Sequence, residues 1–191
     1  MKVGMLMKIV VGVSGGSGAI YAISLLKALE ELNIETHLVV STMGEYVMEH
    51  ETGVSLEELK ALATHFHDNK NFAAPIASGS FKVDGMVVLP CSMKTLASVA
   101  HGFSDNLLTR ACDVSIKENR KLILVPRETP LSPIHLENML KLSQMGVTIF
   151  PPSPGFYSHP ETLEDIVLNM TGRILDMLGV DNNLVNRWQG L

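Results

Sequence analysis

The chain has 191 residues, of which 46% are hydrophobic, 18% charged and 5% aromatic, a balance that suits one well-cored domain. Its net charge of −5 argues against nucleic acid or an anionic membrane surface as a main partner. No apolar run reaches the ~20 residues of a membrane span, so no membrane insertion is expected.

Met1–Met7 is too short for an export signal and is expected to be a dispensable leader, with Met7 an alternative start that would leave out the first six residues. Cys91 and Cys112 form no CxxC pair, so reduced thiols in a cytoplasmic protein are expected. The first element is an apolar strand, Ile9–Val13, that breaks into Ser14-Gly15-Gly16-Ser17-Gly18 and then a helix from Ala19 to Leu32. Glycines there allow close approach of a ligand, and the helix N-terminus is a ready anion site. The spacing is neither G-x-G-x-x-G nor a Walker loop, so the loop is predicted to contact a mononucleotide phosphate or hydroxyl. A second strand spans Glu35–Val40, with Ser41 just past its end, and a short helix spans Thr42–Glu51, closed by Gly53. Ser55 and Glu58 form a capping box that opens a helix expected to run to Phe66.

Phe72–Lys82 is expected to be a long loop. Gly85–Pro90 is a third strand that delivers Cys91-Ser92-Met93-Lys94-Thr95 into a helix ending at Gly102. A helix over Asp105–Asn119, a strand over Lys121–Pro126, a helix over Ile134–Met145 and a strand over Val147–Pro151 follow. A proline-rich loop, Pro152–Pro160, leads to the last helix, Leu163–Leu178, and residues 181–191 form a tail that holds Trp188, the single tryptophan. Apolar strands alternating with helices predict a single α/β domain, a three-layer parallel sheet covered on both faces.

In such a sheet, ligands bind beyond the carboxyl ends of the strands. The polar residues cluster there: Gly15–Gly18, Ser41, Ser92–Thr95, Arg127-Glu128 and Tyr157. Each alone is also an ordinary turn residue; their convergence is the stronger signal. Arg110, Asp113 and Lys117 lie on one stripe of a helix, either a solvated charged face or a phosphate grip, and Arg173 is similar. His65 and His67, two residues apart, would share no helix face, so no metal site is expected there.

G-V-S-G-G-S-G-A-I-Y, P-C-S-M-K-T-L-A, N-L-L-T-R-A-x-D-V-x-x-K-E-x-R, V-P-R-E-T-P-L, H-L-E-N-M-L and P-G-F-Y-x-x-P occur in this order. Together they resemble the UbiX/Pad-type flavin prenyltransferases, from Lys8 to Trp188. The resemblance implies a Rossmann-like (flavodoxin-like) fold, a homododecamer with active sites at subunit contacts, and a metal-independent enzyme. It would join a dimethylallyl group from dimethylallyl phosphate to N5 and C6 of reduced FMN and release phosphate. The product, prenylated FMN, would serve a UbiD-type decarboxylase, as in ubiquinone biosynthesis. By motif, Gly15, Gly16, Ser17, Ser41, Ser92, Met93, Lys94, Thr95 and Arg127 would hold FMN. Lys117, Tyr157 and Arg173, joined by Arg110 and Glu128, would hold dimethylallyl phosphate, with Lys117 and Glu128 also catalytic. Ser17 and Glu51 would move protons, and Trp188 would cover the prenyl chain. Related cysteine-moiety decarboxylases carry P-A-S-A-N-T where this chain has P-C-S-M-K-T, which disfavours them. A non-catalytic FMN-delivery subunit is the alternative from another class; it would need no second phosphate site.

Overall fold

The computed structural model describes residues 7–185, 187, 188 and 190; the first six residues of the expected leader lie outside it. The strands are β1 (Lys8–Val13), β2 (Glu35–Val40), β3 (His65–Asp68), β4 (Gly85–Cys91), β5 (Lys121–Pro126) and β6 (Thr148–Ile149). The helices are α1 (Ala19–Glu31), α2 (Thr42–Thr52), α3 (Leu56–Ala61), α4 (Met93–His101), α5 (Leu107–Lys117), α6 (Pro133–Gln144) and α7 (Leu163–Leu178). All pairings are parallel, in the order β3-β2-β1-β4-β5-β6. The chain therefore reverses its direction of travel between β1 and β4, the switch point where doubly wound sheets open a crevice.

The strands alternate apolar residues between the two faces. Ile9, Val11, Val13, Val87 and Leu89 pack with α1 and α7 on one side. Val10, Met86, Val88 and Cys91 pack with α4, α5 and α6 on the other. That double burial is why these strands read as unbroken apolar runs. Burial also pushes the Cys91 thiol far above its ordinary pKa, so it is a packing residue here.

The predicted helix over Ser55–Phe66 is corrected. The capping box is present, but the helix stops at Ala61 with Leu62 as its cap. Thr64 then bonds Thr36 in both directions (Thr36 N–H to Thr64 Oγ1 3.1 Å, Thr64 N–H to Thr36 Oγ1 2.9 Å) and draws the chain alongside β2. The next residues form edge strand β3, whose sequence HFHD is too polar and short to read as one. The helical geometry behind the histidine reading falls with it: on a strand, His65 and His67 share a face, and His37 sits beside His65 in register. Burial pushes the His37 and His67 imidazoles below the ordinary histidine value.

The predicted loop Phe72–Lys82 contains a short 3-10 turn, Pro75–Ala77. Strand β6 is shorter than predicted. Phe150 N–H still donates to the Leu124 carbonyl at 2.8 Å, but Pro151 and Pro152 have no N–H with which to extend the ladder.

Candidate active site

The sheet's carboxyl edge is assembled by three turns. The first follows β1. A Cβ on Gly15 would lie 2.6 Å from the Met43 Cβ, so only glycine lets this loop rest on the start of α2. Gly18 caps α1 at φ 107 and offers no side chain to its N–H groups. Glu51, from the end of α2, supplies the acceptor: its Oε2 takes N–H bonds from Gly18 at 2.9 Å and Ala19 at 3.0 Å. The anion site predicted at this helix terminus is thus filled by the chain's own carboxylate.

Partial desolvation pushes the Glu51 pKa up. The Ser17 side chain, the Gly18 and Ala19 amides and the nearby Arg127 guanidinium outweigh it, so the net shift is downward. A lowered folded-state pKa means that this interaction stabilises the protein above the unfolded value and is lost as pH falls below about 4.5 through the folded value. Glu51→Gln is expected to cost about 1 kcal/mol at neutral pH, because Glu51 acts as a cap on a solvent-screened surface. It should also flatten the acid limb of stability. Urea midpoints measured from pH 7 to pH 3 check both; an unchanged acid limb would contradict this role for Glu51.

The second turn follows β2. Ser41 caps α2, its Oγ accepting from Gly44 N–H at 3.0 Å, while its own N–H donates to the Val13 carbonyl at 2.9 Å. The third follows β4. Ser92 caps α4, its Oγ accepting from Thr95 N–H at 3.2 Å and donating to Thr95 Oγ1 at 3.0 Å. The first-turn N–H groups of Met93 and Lys94 have no acceptor within the helix. These N–H groups and hydroxyls are a donor set that fits a nucleotide phosphate.

Ser14, outside the residues singled out from the sequence, joins the first and third turns. It is buried, donates from Oγ to the Pro90 carbonyl at 3.1 Å and accepts from Ser92 N–H at 2.8 Å. It locks the two strands of the switch point together.

Two neighbouring clefts open beside these turns. One, of about 620 Å³, is lined by Ser17, Tyr21, Glu51, Arg127, Pro152 and Leu163. The other, of about 630 Å³, is lined by Phe150, Pro151, Ser153, Tyr157, Arg173 and Trp188. Pro151 and Pro152 separate them. The Trp188 indole stands edge-on to the Tyr157 ring, centroids 6.1 Å apart at 85°. Arg173 is half exposed, and its nearest carboxylate oxygen is on Asp176 at 4.0 Å. Glu128, at the end of β5, is exposed and accepts from Thr129 N–H at 3.0 Å.

The tail is held by residues that sequence reading did not single out. Asn182 donates to the Gly172 carbonyl at 3.1 Å and to Asp176 Oδ1 at 3.0 Å. Arg187 grips both oxygens of Asp176, at 3.1 and 2.9 Å. Trp188 is thereby presented to the second cleft.

Within one chain the stripe on α5 is not brought to these clefts. Arg110 bonds Asp113 at 2.6 Å and the Ala77 carbonyl at 3.2 Å, and Lys117 pairs with Glu118 at 2.6 Å. Helix α5 packs on the opposite face of the sheet from α7, which carries Arg173. The expectation that Lys117, Tyr157 and Arg173 form one pocket is therefore not met inside a single protomer.

A family model described as Flavoprotein matches residues 5–175. A probable UbiX-like flavin prenyltransferase from Escherichia coli O157:H7 is 53% identical over 186 residues, 97% of this chain and 94% of the relative. The crystal structure of AnUbiX in complex with FMN and dimethylallyl pyrophosphate superposes with a TM-score of 0.96 at 46% identity, covering 98% of this chain and 100% of that one. A dodecameric FMN-dependent UbiX-like decarboxylase from Escherichia coli O157:H7 superposes with a TM-score of 0.94 at 53% identity, covering 96% of this chain and 100% of that one.

Proposed function

The chain belongs to the flavoprotein family and, within it, to the UbiX-like flavin prenyltransferases, and on that footing we propose how its residues divide the work. The enzyme binds FMN and transfers a dimethylallyl group to it from a dimethylallyl phosphate ester, releasing phosphate. Reduced FMN supplies the nucleophilic N5 and C6 to which the group is joined. The prenylated FMN passes to a UbiD-type decarboxylase, in ubiquinone biosynthesis or another pathway of the cytoplasm.

The observation that carries this reading is the second cleft. A guanidinium, a phenol and an indole line it, a proline pair away from the glycine-loop cleft. FMN is held by Gly15, Gly16, Ser17 and Ser41, by the start of α4 from Ser92 to Thr95, and by Arg127. Arg173 and the Tyr157 hydroxyl grip the leaving phosphate, and fixed charge in a dry site stabilises it strongly as the allylic C–O bond breaks. The Trp188 face shelters the allyl cation through its quadrupole. Ser17 and Glu51, which line the same cleft, pass on the proton lost when the second bond closes.

The cations missing from the cleft come from a neighbour. In a dodecamer, Arg110 and Lys117 of one protomer complete the phosphate grip of the next, with Glu128 beside it. Exposed apolar side chains on α6 (Ile134, Leu136 and Leu140) and at Met43 and Phe103 support such an assembly.

The direct test is anaerobic incubation with reduced FMN and dimethylallyl phosphate, without added metal. A flavin heavier by one prenyl unit is expected by mass spectrometry. Bound FMN with no adduct would instead favour a delivery subunit.

A further inference from the structure

At the other edge of the sheet, and at the amino ends of its strands, three metal-ligating side chains converge outside the site described above. Glu35 and His37 lie two residues apart on β2 and so share one face, and His65 pairs with His37 in register from β3. Glu35 Oε1 is 3.1 Å from His37 Nε2 and 3.6 Å from His65 Nε2. All three ligand atoms lie within 4.8 Å of one another. Four donors at roughly 2 Å around a tetrahedral ion stand roughly 3.3 Å apart. Two of the spacings already match, and the His65 side chain, 50% exposed, is free to swing in for the third.

This is not a loose surface cluster. The His37 side chain is 4% exposed and that of Glu35 16%. The second ring nitrogen of His37, Nδ1, is 2.9 Å from His67 Nε2. Metal-bound imidazoles commonly donate their other N–H to an acceptor that fixes ring orientation and tautomer, and His67 Nε2 stands where it can accept from His37 Nδ1. The competing feature is Lys8, whose Nζ lies 2.8 Å from Glu35 Oε1 and above the Phe81 ring. Its flexible stem lets the ammonium withdraw to solvent when Oε1 is taken. Two imidazoles and one carboxylate suit Zn²⁺ rather than an oxygen-seeking cation such as Mg²⁺ or Ca²⁺.

We propose that Glu35, His37 and His65 form a Zn²⁺-type divalent metal site, with His67 as the outer partner of His37 and a fourth position open to solvent. The ion ties edge strand β3 to β2, far from the prenylation chemistry, and its role is to hold the sheet edge.

The test uses the full-length chain stripped with a chelator and titrated with Zn²⁺ by calorimetry, then with Co²⁺ by visible absorption. One ion per chain is expected, with the intense visible bands of four-coordinate Co²⁺ and a Zn²⁺-dependent rise in unfolding temperature. His65→Ala, at a half-exposed position that leaves the core intact, should weaken Zn²⁺ binding at least about tenfold and remove the Co²⁺ bands. His50→Ala, an exposed histidine on α2, should leave both unchanged. Absence of saturable binding to the wild-type chain overturns the proposal. So does wild-type affinity in His65→Ala, or an equal loss in His50→Ala.

Discussion

Arg173→Ala is expected to lower prenyl transfer by roughly 100- to 1,000-fold, the usual cost of removing one fixed group that stabilises charge developing in a transition state. FMN affinity should change by no more than about twofold, because the guanidinium lines the second cleft and not the glycine-loop cleft. Lys117→Ala is expected to behave alike, although Lys117 and Arg173 sit on opposite faces of the sheet within one chain. A sharper outcome follows if each site draws on two protomers. Mixing the two inactive variants and reassembling them should restore about a quarter of the wild-type rate, since half the sites regain each residue independently. Single-turnover rates and flavin fluorescence titrations measure both effects. No recovery on mixing, with mixed assembly demonstrated, would break the two-protomer site; loss of FMN from both single variants would break the division into two clefts.

The largest effect on the fold is expected from Gly44→Ala. A Cβ there would stand 2.6 Å from the Val13 carbonyl oxygen and 3.0 Å from its carbon. Both are backbone atoms of β1, so the clash cannot be relieved by a side chain turning away. Overpacking of this kind costs about 3 kcal/mol, and relief means lifting α2 off the end of β1. That movement carries Ser41 and Glu51 with it, because both belong to the ends of α2. A lowered urea midpoint together with loss of FMN is expected. Gly53→Ala is the contrast. It has no atom within 4 Å but sits at φ 70, so it should cost about 1 kcal/mol for the left-handed conformation alone and keep FMN. Equal losses in the two variants would show that crowding at Gly44 is not the cause.

Most of the architecture was legible because its causes are local. Strands β1, β2, β4 and β5 are buried on both faces and so are apolar throughout. Ser41, Ser55 and Ser92 announce helices through the hydrogen bonds they make three residues on. Strand β3 was not legible, because HFHD owes its conformation to the Thr36–Thr64 bonds and to β2, neither of which is local. The histidine cluster was hidden for the same reason: only strand register unites residues 35, 37 and 65. In the site, motif order pointed to the residues, but their company depended on contacts across the chain. Glu51 reaches α1 over 33 positions, and Ser14 reaches Ser92 over 78. The pairing of Asp176 with Arg187 leaves no periodic trace at all.

The carboxylate seated at the head of α1 has a bearing on turnover. On the proposed arrangement, a bare helix terminus beside the flavin would be a trap for inorganic phosphate, the by-product of each cycle. With a resident anion already on the Gly18 and Ala19 amides, spent phosphate would find those donors taken. Release of the by-product would then turn, on the same arrangement, on how readily the guanidinium of the other cleft and the ammonium lent by a neighbouring protomer let go.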